Sequence, residues 1–469
     1  MTVLDDALPT TGRTTLRIGS LPHDPRQDTQ QILDHVDRLR RASPHILGYP
    51  GNRAFDFTNL ALALAVIPNN VGDPDAGDPD DITHTKAYEQ AVVDFLTRIA
   101  HGDPASTYEH MTASSTEGLL FGLYTARRRL PRAPLYASDQ AHFSIHKCAA
   151  LLRVDLVTIP SLPDGSMDPA ALHAACRARR RRDTLSGRLT PRGAIVLATI
   201  GTTMTGSYDN PIALRQAAAV AGDVHVHADA ACGGLLAAYA PTPRPWGFDA
   251  SSDSMQISLH KVIGSPVPAG VVLTRAELVP DQHAGAYVGA ISDRTLSCSR
   301  SGLAPLIAWS ALRRIGEAGL CAQVRRCQET AAYAVDRLTA IGQNPWRFDE
   351  SSITVLFDRP PRAVLERWHL ASEGTRSHLV TVSHVTRRAI DALCRDLSRT
   401  SALDVVVRGR PRCAPQDAHP RPNGASEKRQ GDPSTHPARY RQSAPCCARR
   451  GSGSIAPVRW HQLSRQCRK

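Results

Sequence analysis

Two short segments hold the residues whose types and spacing can do chemistry: VHVHADAACGG at 224–234 and SLHKVIGSP at 258–266. Each begins as an apolar or β-branched run and ends in polar groups, Asp229 in the first and Ser258, His260 and Lys261 in the second. If both runs are strands, an acid and an amine stand at the carboxyl ends of a sheet, where open α/β sheets bind their ligands. A lysine that condenses with an aldehyde, and a carboxylate that keeps a pyridine nitrogen protonated, are the pair that pyridoxal 5'-phosphate (PLP) chemistry requires. Alone, Asp229 also reads as a helix cap and Lys261 as a solvated turn lysine. The pair, with its surroundings, favours the cofactor.

These groups need a scaffold, and the hydrophobic pattern supplies one. Between residue 86 and about residue 275, helical segments alternate with short β-branched runs: 135–137, 154–159, 194–200, 224–228, 254–258 and 270–274. That alternation predicts a largely parallel sheet covered by helices on both faces. Upstream, Ile32, Leu33, Val36 and Leu39 predict an amphipathic helix over 28–40, with Asp28 and Thr29 as capping types, that packs across a partner or the body. A second helix is expected over 86–99, with Tyr88, Val92, Phe95 and Ile99 on one face. Residues 45–79, rich in Gly, Pro, Asn and Asp, read as an irregular stretch of the kind that lines sites. Residues 305–341 read as a long helix or helix pair, and 352–394 as strand, helix, strand, helix, a small C-terminal α+β domain. The expected organisation is an N-terminal helix and extended segment (1–85), a large α/β domain (86–304), the small domain (305–397) and a tail (398–469).

Composition narrows the function classes. The formal net charge is +12, but residues 401–469 hold 14 Lys and Arg against 4 Asp and Glu, leaving 42 basic and 40 acidic residues elsewhere. The positive balance therefore belongs to the tail, and a nucleic-acid-binding body is not indicated. The tail, with eight prolines, four cysteines and few large apolar residues, is expected to be disordered, a composition shared with out-of-frame translation of a GC-rich gene. The eleven cysteines show no zinc-type CxxC spacing, so no metal site is expected. No stretch reaches the roughly 20 apolar residues that span a bilayer, and residues 1–17 do not resemble a secretory signal. A cytoplasmic protein with no membrane partner is expected.

HADAA and SLHK resemble the signature of the group II PLP-dependent amino acid decarboxylases. Within that group the chain is most similar to the bacterial histidine decarboxylases, and it is also similar to plant serine decarboxylases. Supporting segments are GYPGNRAFDF (48–57), PNNVGDP (68–74), TASSTEG (112–118), SDQAHFSIHK (138–147), IGTTMTGSYDN (200–210) and SRSGLAPLIAW (299–309), so the resemblance runs over about 30–397. It implies an α/β, PLP-dependent transferase-like fold type I: a mostly parallel central sheet with helices on both faces, plus the small C-terminal α+β domain.

The resemblance also implies roles. Lys261 becomes the Schiff-base lysine, Asp229 the partner of the pyridine nitrogen, His142 the ring stacked on the cofactor and Ala231 the methyl beneath it. Ser115 and Thr116, at the start of a helical run, are expected to hold the phosphate, joined by Ser258 and His260. Ser144, Thr202 and Thr203 are lesser candidates for contacts to the ring substituents or to Asp229. Tyr287, in HAGAYVGA, is the candidate proton donor to Cα, and the implied reaction is loss of the α-carboxylate as carbon dioxide. Histidine is the first substrate expected, with serine or another small amino acid second. Close relatives carry Asn at the position of Leu119 and Asn-Gly-His where this chain has Ser301-Gly302-Leu303. Those departures, with the tail, keep open a catalytically degenerate PLP-binding protein. A homodimer with sites at the subunit interface is implied.

Overall fold

The computed structural model describes residues 16, 18, 20–22, 24–54, 56–66, 68–77, 82–242, 244–280 and 292–408. A helix, α1 (Pro25–Ala42), precedes a short strand, β1 (Asn69–Val71), and α2 (Lys86–Ile99). The central part follows as β2 (Thr107–Thr112), α3 (Ser115–Arg129), β3 (Leu135–Ser138), α4 (Ser144–Leu152), β4 (Leu156–Ile159), α5 (Pro169–Leu185), β5 (Ala194–Thr199), α6 (Pro211–Ala218), β6 (Val224–Asp229), α7 (Gly233–Ala238), β7 (Ser254–Ser258) and β8 (Gly270–Arg275). Next come β9 (Ser299–Ser301), α8 (Leu303–Ala340), β10 (Thr354–Asp358), α9 (Arg362–Arg367), β11 (Ala371–Glu373), β12 (Arg376–Val380) and α10 (Arg387–Arg408).

Seven strands form the central sheet in the order β2-β8-β7-β6-β5-β3-β4. The pairs from β7 to β4 are parallel, and β8 runs antiparallel to both its neighbours. Period-two alternation explains the two covered faces. On β5, Val196 and Ala198 pack toward α5 and α6 with Leu172 and Leu214, while Ile195 and Leu197 pack toward α3 and α4 with Leu123 and Ile145. Each large apolar side chain so buried contributes about 1.5–3 kcal/mol relative to exposure. A third cluster joins Met255, Ile257 and Leu273 of the sheet to α2, α8 and the three-stranded antiparallel sheet β10-β12-β11, so the apolar core is continuous from one sheet to the other.

Several expectations are corrected. Helix α1 begins at Pro25, capped by Asp24 rather than Asp28 or Thr29, because proline at the first helical position fixes φ and needs no donor. On α2, Val92 and Ile99 are buried as expected and Phe95 is partly buried against the core, but Tyr88 is exposed and the buried side also holds Glu89, Val93 and Leu96, with Glu89 paired to the buried Arg300 guanidinium. Strand β2 was not expected: Glu109 and His110 interrupt its apolar pattern, yet both are buried. The 154–159 strand starts at Leu156. Helix α8 is continuous except at Gly316, whose φ of 63° marks a kink. Helix α10 runs on to Arg408, past the expected fade at 397, since no proline or glycine stands before Gly409 to break it. No described helix is long and apolar enough to cross a membrane.

Candidate active site

Lys261 follows β7 on a wide π turn, Leu259–Ile263, closed by Gly264 in the left-handed conformation (φ 85°) that favours glycine. The turn is tied from several sides. Leu259 N donates to the Ala269 carbonyl (3.0 Å), and Nδ1 of His260 stands 3.1 Å from the same oxygen. The Asn52 amide donates to the Lys261 carbonyl (3.1 Å), and the Asn52 and Gln323 side chains donate to the Val262 carbonyl (3.0 and 2.8 Å).

Asp229 ends β6, nearly buried, with its Oδ1 accepting from the Ala231 amide (3.2 Å). Ser258 N donates to the Ala231 carbonyl (3.1 Å), so the acid's strand end is laced to the strand that carries the lysine. His142 enters from the segment between β3 and α4, its Nδ1 2.8 Å from the Ser144 hydroxyl. Burial chiefly lowers the pKa of His142, with Asp229 raising it and Lys261 and Lys147 lowering it, so the ring lies within electrostatic reach of both acid and amine. Burial likewise lowers the pKa of His260. Cys232, just beyond Asp229, is pushed up by burial and is no thiolate nucleophile near neutral pH.

At the amino end of α3, Ser114 caps Glu117 N while Oε2 of Glu117 accepts from Ala113 N (2.8 Å), a reciprocal capping box. The next residue, Ser115, hydrogen-bonds its hydroxyl to that of Ser258 across to β7. Free amides at a helix start, two hydroxyls and no room for a Cβ at Gly270, 3.0 Å from Ser115 N, make a cradle suited to a phosphate.

The chain thus brings together Ser115, Thr116, His142, Asp229, Ala231, Ser258, His260 and Lys261 at the carboxyl end of the sheet. Ser144 is occupied with the His142 ring, and the buried Thr202 accepts from Ser207 N (2.9 Å) within its own turn, whereas Thr203 is exposed. Tyr287 lies outside the described residues. Sequence reasoning missed Asn52, Gln256, His227 and Asp209. Asp209 accepts from Met167 N and Thr199 N (2.6 and 2.7 Å) and is pushed up by burial to about 7. For His227 a signal existed, because strand periodicity puts it on the face of Asp229.

The family description "Pyridoxal-dependent decarboxylase conserved domain" matches residues 125–358. A histidine decarboxylase of Pseudomonas entomophila is 34% identical over 74% of this chain and 84% of its own length. The chain belongs to the pyridoxal-dependent decarboxylase family. Another relative of this decarboxylase is a histidine decarboxylase of Pseudomonas fluorescens (33% identical, 77% of this chain and 87% of that one). A serine decarboxylase of Oryza sativa subsp. japonica is 33% identical over 80% and 82% of the two chains. Among solved structures, L-methionine decarboxylase from Streptomyces sp. 590 superimposes with a TM-score of 0.72 at 22% identity, over 85% of this chain and 99% of that one, which supports fold type I. The chain is accordingly a PLP-dependent amino acid decarboxylase, a carboxy-lyase. The donor set fits the cofactor: the second Asp229 oxygen is left for a protonated ring nitrogen, and the Ser115–Ser258 cradle for the phosphate.

Proposed function

We propose that this decarboxylase converts L-histidine to histamine and carbon dioxide and acts as a cytoplasmic homodimer. The observation that carries the substrate is similarity to several histidine decarboxylases over most of both chains. The serine decarboxylase relative favours L-serine as the second reading.

PLP, when bound, supplies the electron sink for the charge left at Cα. The chain's own residues do the rest. Lys261 would hold the cofactor through its amine, and Asp229 would keep the ring nitrogen protonated. His142 and Ala231 would bracket the cofactor ring on its two faces and hold its orientation toward the substrate. Ser115, Thr116, Ser258 and His260 hold the phosphate, and Ser144 fixes the tilt of His142. Thr203 is retained as a weaker candidate contact, and Tyr287 as the donor of the proton to Cα. Because burial lowers the pKa of His142, the imidazole stays neutral near pH 7 and places no second positive charge beside the ring.

The test is a product assay on purified, PLP-loaded protein offered histidine, serine and the other common amino acids one at a time, with Lys261→Ala as control. Histamine abolished by Lys261→Ala is the expected result. Ethanolamine instead moves the assignment to serine. Bound cofactor absorbance with no carbon dioxide from any amino acid overturns turnover and leaves a degenerate PLP-binding protein.

A further inference from the structure

His378 stands on β12, opposite Leu356 of β10 and Ala371 of β11, with 2% of its surface exposed. Its two ring nitrogens meet two backbone carbonyls from distant parts of the chain. Nδ1 is 3.0 Å from the Met204 oxygen and Nε2 is 3.0 Å from the Gly48 oxygen. A core filler at this position would be apolar, because burying an imidazole costs free energy unless its nitrogens find partners. Here each nitrogen stands at hydrogen-bond distance from a carbonyl oxygen. The neutral ring donates to one of the two, and the protonated ring donates to both.

The two carbonyls belong to the two sides of the cofactor site. Met204 lies in the turn after β5, where Ile200 N donates to the Asp229 carbonyl (2.8 Å) and Gly233 N to the Ile200 carbonyl (3.0 Å). That turn is also pressed onto the small sheet at Gly206, where a Cβ has no room beside Ser352 and Thr354. Gly48 begins the other side. Its amide donates to the His369 carbonyl (3.2 Å), the preceding Leu47 accepts from Val380 N (2.7 Å), and the loop runs four residues on to Asn52, whose amide is bonded to Lys261. One imidazole therefore joins the acid's strand end to the lysine's turn.

We propose that His378 is a positioning residue that fixes the spacing between the Lys261 turn and the Asp229 strand end, so that amine and acid meet the cofactor in register. The inference rests on Lys261 and Asp229 serving the cofactor and is independent of which amino acid is the substrate.

The test uses the full chain and a PLP titration followed by the visible absorbance of the lysine-bound cofactor, with the pH midpoint of that band as a second readout. In His378→Leu, verified as folded by circular dichroism, PLP affinity is expected to fall about 10- to 100-fold, with a displaced midpoint, the scale on which loss of an outer orienting partner weakens a metal site. His378→Gln has one donor nitrogen in place of two ring nitrogens, reaches one of the two carbonyls, and is expected to fall between wild type and His378→Leu. A folded His378→Leu with wild-type affinity and midpoint overturns the proposal, even if its melting temperature drops. If His378→Leu does not fold, His378→Gln decides, and wild-type affinity and midpoint there overturn it equally. Lys261→Ala separates this outcome from failure of the site assignment: if that variant keeps the wild-type absorbance band, the lysine assignment itself is wrong.

Discussion

On β6, His225 and His227 share the face of Asp229, and both are fully buried. The Ser254 hydroxyl bridges them, 2.9 Å from Nε2 of His225 and 2.7 Å from Nδ1 of His227, and Nε2 of His227 bonds to Gln256, the parallel-strand partner of Asp229. Burial pushes the two rings down to about 3 and about 4. Their folded pKa values lie below the unfolded value of about 6.5, so the unfolded chain takes up protons first as pH falls. The stability they contribute is complete above about pH 6.5 and is lost on acidification toward their folded values, by about 3 kcal/mol for His227 near pH 4. Asp209, raised by burial, contributes with the opposite sign, losing its share as pH rises toward about 7. The mutant difference isolates the histidine. Urea unfolding of His227→Gln between pH 7.5 and 4.5 is expected to show a shallower loss of stability than wild type, and identical slopes would remove the ring as the cause.

At the scale of elements, α3 lies on the sheet at backbone contact. Gly118 and Gly122, one turn apart, face Gln256 and His227; a Cβ at Gly118 would stand 2.9 Å from the Gln256 Cβ, and one at Gly122 would overlap the His227 ring. This close approach brings Ser115 to Ser258. Gly122→Ala is expected to lift the helix, cost about 1–3 kcal/mol as an overpacked core position does, and weaken PLP retention through gel filtration. A lower melting temperature with full retention would mean that the helix can shift without opening the cradle.

The same elements show what could be read from sequence. Strands β5 and β7 and the ends of α2 were legible because their apolar runs or periodicity are local. That Asp229 and Lys261 stand at neighbouring strand ends was legible because each closes a local β-branched run. Strand β2 was hidden by Glu109 and His110, whose burial depends on neighbours far along the chain, and the place of Glu89 on the buried side of α2 goes with its pairing to Arg300. Asn52 and Gln256 gave no signal of their own: Asn52 acquires its role through bonds to the Lys261 and Val262 carbonyls, 209 to 210 residues away.

At the scale of the molecule, α1 buries none of its residues against its own chain, and Ile32, Leu33 and Leu39 are 64%, 51% and 54% exposed. Leu62, Leu64 and Val66, between α1 and β1, are exposed as well, as is Phe143 next to His142. A helix of 18 residues gains most of its stability from packing an apolar face, so one that buries no residue among the described residues calls for a further surface. A second copy of the chain answers this and agrees with the proposed homodimer. A stable interface buries more than about 1,000 Å², which needs more than one helix, and the exposed leucines between α1 and β1 and Phe143 supply further apolar area. Ile32→Asp with Leu39→Asp places charges on that stripe without touching Lys261 or Asp229. Light scattering is expected to show wild type at twice the monomer mass and the double variant at the monomer mass. If the site is completed across the interface, decarboxylation falls with the dimer and returns as protein concentration rises; a fully active monomer would show instead that one chain holds the whole site and that α1 serves another surface.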